Sequence, residues 1–154
     1  MTALHKFAAP LLAGAISVCL MGAANDQASP TDATFATNVM KLTLQSVANA
    51  EAVSSGQSSD GTKALASTIQ ADGIAMGTKL ASMADYYGLT VSTDLPKSTG
   101  TPQSFAQDQV TTLTQLIDLC KAEQTSGGGA QLRTLAADML PTLEKDLATA
   151  QSAK

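Results

Sequence analysis

Apolar residues along this chain fall into four stretches with the 3.6-residue period of an amphipathic helix, separated by polar segments rich in glycine, serine or proline. The first runs from about Asp32 to Ser55, with Thr31 or Asp32 as its start signal and Phe35, Val39 and Leu42 opening the apolar set. The second runs from about Gly61 to Tyr87 as Leu65, Ile69, a gap, then Met76, Leu80, Met83 and Tyr87, with Gly88 placed to close it. The third spans about Gln103 to Gln124 and carries Phe105, Val110, Leu113, Leu116, Ile117 and Cys120. The fourth runs from about Ala130 to the end as Leu132, Leu135, Met139, Leu143, Asp146 and Ala150, with Pro141 inside it as an expected kink. No run alternates as a half-buried strand would, so the pattern predicts an all-α four-helix bundle.

Two places break the apolar rows. In "IQADGIAMGTKL" the stripe lapses at Asp72 and Gly73, and a second glycine, Gly77, follows one turn later. Each glycine costs about 1 kcal/mol relative to alanine in a helix interior. In the fourth stretch a carboxylate, Asp146, occupies an apolar position.

The connection between the second and third stretches, "LTVSTDLPKSTGTP", sets the topology. A 26-residue helix is about 39 Å long, and the steps from Gly88 to Pro102 reach about 46 Å when extended. This connection therefore either runs the length of the bundle, making helices two and three parallel, or returns locally. The loop "TSGGGA" before the fourth stretch follows no strand and lacks the Gly-Lys-Ser/Thr of a phosphate cradle, so it reads as a flexible link.

The opening residues change the picture of where the chain works. A start bearing His5 and Lys6, an apolar run from Phe7 to Met21 and small residues up to Ala24 form the pattern of a secretory signal peptide. Residues 1–24 are thus expected to be a leader cut after Ala24, and residues 25–154 a single bundle domain, periplasmic or secreted. The leader is too short and wrongly flanked for an integral membrane span. Cys19 ends the apolar run, but Val18 before it does not suit lipid attachment.

Cleavage would remove the only histidine and make the formal charge of −4 one unit more negative. No basic stripe remains, which excludes nucleic acid and anionic lipid as partners. Cys120 is then the sole cysteine and reads as a buried thiol. A ferritin-type di-iron site needs glutamates from two helices and a Glu-x-x-His pair from each of the others. With three glutamates, Glu51, Glu123 and Glu144, and no histidine after the leader, that site cannot be built. Zinc catalysis fails for lack of ligands, and no nucleophile-elbow or Ser-x-x-Lys phrase supports a hydrolase. No cofactor is implied. The methionines Met76, Met83 and Met139 read as core filler.

The phrases "DATF", "ALASTIQAD", "GLTVSTDLP", "QDQV" and "LRTLAADMLPTLEKDLATA" together resemble the exported bacterial family grouped as domain of unknown function 4142, whose members are ferritin-like four-helix proteins. The resemblance covers nearly all of residues 32–150. It implies a polar core set: a glutamate in the first helix, an aspartate–histidine pair in the second, and histidines in the third and fourth. On this chain those positions are Ser46, Asp72 with Gly73, Leu113 and Asp146, so only Asp72 keeps its type. Gly73 is then the vacated place of an imidazole. Gly77 either lets another helix approach closely or is tolerated on a solvent face.

These readings lead to a noncatalytic bundle acting as a binding or structural module in the cell envelope, with a second copy of itself or an envelope protein as partner. The alternative is a carrier of a small ligand or metal ion, with a cavity at Gly73 and Leu113 and with Asp72 and Asp146 as its polar groups; two close buried carboxylates would share a proton or recruit a hard cation.

Overall fold

The computed structural model describes residues 26–153; the expected leader lies outside them. Four helices follow in order: α1 (Pro30–Ser55), α2 (Asp60–Tyr86), α3 (Phe105–Ser126) and α4 (Ala130–Ser152). Helix α1 starts two residues earlier than the expected Asp32. The cap is Ser29, whose side chain accepts from the Asp32 N–H, while Asp32 at the third helical position takes the Ser29 N–H in return. Pro30 fits the first helical position, where its missing N–H has no partner to lose.

Helix α2 is capped by Ser59 and ends at Gly88, whose φ of 66° only glycine adopts freely. The Gly88 N–H donates to Asp85 and the Leu89 N–H to Ala84, the paired bonds of a Schellman stop. Helix α3 begins at Phe105 and not at Gln103, because the Thr101 and Ser104 hydroxyls engage each other and hold a turn before it. Helix α4 continues through Pro141, which is exposed on the solvent side.

The termini fix the topology. The Tyr87 hydroxyl at the end of α2 donates to Asp26 and accepts from the Gln131 N–H at the start of α4, and Asp32 at the start of α1 accepts from Gly128 and Gly129 after α3. One end of the bundle thus holds the starts of α1 and α4 and the ends of α2 and α3, so α2 and α3 are parallel. Their connection runs from end to end along α1 and α2. Asn49 of α1 fastens it, its side-chain oxygen accepting from Ser98 Oγ, Thr99 N and Gly100 N at 3.0, 2.9 and 3.1 Å. Each helix packs against two antiparallel neighbours, α1 with α2 and α3, and α4 with α3 and α2.

The core is aliphatic and close-packed: Phe35, Val39, Leu65, Leu80, Phe105, Leu116, Leu132 and Leu143 are all buried. In α3 the buried position falls on Gln109, with Val110 only half-buried. Gln109 is kept there by accepting from Ser46 Oγ at 3.0 Å across the α1–α3 contact.

Candidate functional site

Four of the five positions singled out by the resemblance meet inside the bundle. Ser46 of α1, Gly73 of α2, Leu113 of α3 and Asp146 of α4 line one void together with Thr43, Ile69 and Met76. Its volume is about 10 Å³, room for one water molecule and no larger guest. The vacated place at Gly73 is mostly closed by its neighbour in α1: a Cβ there would fall 2.7 Å from Val47 Cγ2 and 3.7 Å from Thr43 Cγ2. The gap in the α2 stripe is therefore a point of close helix approach. Gly77 is looser, with Met40 and Thr43 both 3.8 Å from a built Cβ.

Asp146 is 1 % exposed, and neither of its oxygens has a hydrogen-bond donor. Thr43 Oγ1, on the same void, is also without a partner. Burial, then the negative charge of Asp72, pushes the Asp146 carboxyl up to about 6 against the opposing charge of Lys145. Once protonated, Asp146 has a proton to give and Asp72 to receive it. Asp72 itself is half-buried at the edge of α2. The two aspartates expected to face each other are thus brought together. Among the described residues no third histidine, cysteine or carboxylate joins them to complete a metal-ligand cluster.

Other buried polar groups carry no mark in the hydrophobic pattern. Asp32 and Glu123 are both fully buried, at the end of the bundle where α1 starts and α3 stops. An S-x-x-D phrase before an apolar run was the available signal for Asp32. A glutamate in the last turn of a helix carries no such signal, since most stand in water. The glycine loop is also not the flexible link its composition suggests. Gly128 and Gly129 both donate to Asp32, and a Cβ on Gly127 would come within 2.7 Å of the Glu123 carbonyl. Cys120, one turn before Glu123, is a free buried thiol pushed up to about 12 by burial and by Glu123.

Outside the core, a groove lies between α1 and α2 under the crossing connection. It has a volume of about 500 Å³, with Met40, Leu44, Val47 and Gly77 in its floor and walls. Ile74 and Leu95 on its margin are about half exposed, at 53 % and 48 %.

Two antiparallel helix pairs joined by an end-to-end crossover define an all-α four-helix bundle with the topology of ferritin-like folds. A family model described as Domain of unknown function (DUF4142) matches residues 18–153, and the chain belongs to that family. No curated protein and no solved structure matches it.

Proposed function

We propose that this is a noncatalytic, exported helical bundle that serves as a binding or structural module in the bacterial cell envelope and works through its surface. The observation that carries this reading is the closed centre. The positions where the resemblance places acid and imidazole groups surround a void of about 10 Å³, and Val47 packs where Gly73 would leave room. A core of this kind has neither the space for an organic substrate nor a base beside a nucleophile. The α1–α2 groove, with Ile74 and Leu95 exposed at its margin, is the apolar surface such a module offers.

One observation favours the carrier as a second reading: Asp146 is buried with no donor and has Asp72 beside it. The void limits its cargo to a single ion or water.

Native mass spectrometry of the protein isolated from its own envelope without chelators separates these readings. A bare polypeptide of the mass left by cleavage after Ala24, alone or bound to another protein, is the expected result. An added ion or small molecule that disappears in Asp146→Asn would replace this reading with the carrier.

A further inference from the structure

We propose that Asp32 and Glu123 form a proton-binding site that fastens the Gly127–Gly129 turn to the start of α1, so that one proton closes or loosens this end of the bundle. The ligand is the proton itself, and the inference is independent of the role proposed above.

The two carboxyls have very different surroundings. Asp32 is rich in donors: the Ser29 N–H and hydroxyl and the Gly128 and Gly129 N–H groups all point at it. It also sits in the first turn of α1, where the helix dipole favours negative charge. Glu123 is fully buried and neither of its oxygens has a partner. Of the donors close by, the Gly128 and Gly129 amides serve Asp32, and Arg133 turns its Nη1 to the carbonyls of Gly127 and Gly128 at 2.7 and 2.9 Å.

An ionised Glu123 would therefore be a buried charge with no hydrogen bond, one of the costliest arrangements a protein interior can hold. A protonated Glu123 has an O–H to give. Asp32 Oδ1 accepts only from the Gly129 N–H at 3.0 Å, which leaves a lone pair for that proton. The pair then becomes a charge-assisted hydrogen bond between a neutral acid on α3 and a carboxylate on α1.

The groups facing Glu123 agree on which partner keeps the proton. From α1 comes Asp32, negative; from α4 comes Arg133, whose charge pulls the other way; from α3 itself comes Cys120, whose buried thiol stays neutral. Burial, then the hydrogen bond and charge of Asp32, push Glu123 up to about 8 in spite of Arg133. Burial alone would raise Asp32 too, but the hydrogen bonds from Glu123, Ser29 and Gly129 outweigh it and hold Asp32 well below the usual carboxylate range.

The turn is shaped to this pair. A Cβ on Gly128 would come 2.9 Å from Ser29 Cβ and 3.2 Å from Asp32 Oδ2, and one on Gly129 would come 3.0 Å from the Tyr87 ring. Loss of the proton places two carboxylates against each other, with the turn's amides supporting Asp32 alone. Repulsion between α1 and the last turn of α3 then acts directly on the bonds from Gly128 and Gly129.

The test is carboxyl ¹³C titration by NMR together with amide exchange on the same protein. Glu123 is expected to titrate near pH 8, with Asp32 ionised throughout the neutral range. Protection of the Gly128 and Gly129 amides, corrected for intrinsic exchange, is expected to fall at least about tenfold between pH 6 and pH 9. In Glu123→Gln, whose amide donates to Asp32 at every pH, that protection should stay flat. Titration of Glu123 in the ordinary carboxylate range would overturn the proposal, as would pH-independent protection in the unmodified protein. So would a Glu123 titration that moves to the ordinary range when calcium or magnesium is added, which would assign the pair to a cation. If Glu123→Gln does not fold, the titration and exchange of the unmodified protein decide the matter alone.

Discussion

Gly73 and Gly77 look alike in the sequence and should behave oppositely when a methyl group is added. Gly73→Ala gains helix propensity but drives its Cβ into Val47, whose β-branched side chain has few rotamers to retreat to within a helix. It is expected to lower stability by about 1–2 kcal/mol in urea denaturation, the strain exceeding the propensity gain. Gly77→Ala meets only ordinary contacts at 3.8 Å and is expected to raise stability by up to about 1 kcal/mol. A drop for Gly77→Ala would show that the α1–α2 approach is tighter than described. The gap at residues 72–73 was legible as an interruption of the stripe, but its cause was not, because the residue that fills it, Val47, belongs to another helix. The same limit hid Glu123. Nothing within α3 distinguishes it from a solvated glutamate, and its burial depends on Asp32 and on a turn without side chains.

The four helices could be read from periodicity, with boundaries wrong by one or two residues where side chains rather than apolar spacing set the ends. Ser29 moved the start of α1 outward, and the Thr101–Ser104 pair held back α3. The direction of the long connection was not legible, since its length permits both courses; what decides it is contact with α1 along the way. Asn49 is the main clasp, and Asn49→Ala removes the acceptor for three donors of the connection and for Gln45 Nε2 at once. The expected result is a loss of about 1–3 kcal/mol, with faster amide exchange at Thr99 and Gly100 and unchanged exchange in α3 and α4. If those two amides stay as protected as before, the connection is held by something other than Asn49.

For the molecule as a whole, the buried acids set an unusual dependence on pH. The folded protein holds protons on Asp146 and Glu123 up to about pH 6 and pH 8, whereas the unfolded chain releases both near pH 4. Between those limits the native state binds more protons, so stability falls as pH rises. Asp32 acts in the opposite sense: its lowered value makes it stabilising above the unfolded carboxylate range, and that contribution is lost in acid. The midpoint of urea unfolding is therefore expected to peak near pH 4–5 and decline toward pH 8. In Asp146→Asn the share of the decline that Asp146 contributes below about pH 6, up to about 3 kcal/mol, should disappear, leaving the share due to Glu123. A flat profile from pH 4 to 8 would show that these carboxyls ionise without cost. The crossing connection has a consequence of another kind. It is the only covalent link between the α1–α2 and α3–α4 hairpins, and residues 92–99 along it are exposed. A chain opened between Ser92 and Pro96 keeps both hairpins whole and leaves Asn49 holding its partners on the second fragment. The two halves, made separately, should find each other and rebuild the bundle, so that this protein can serve as a split pair whose reassembly reports when two other molecules meet.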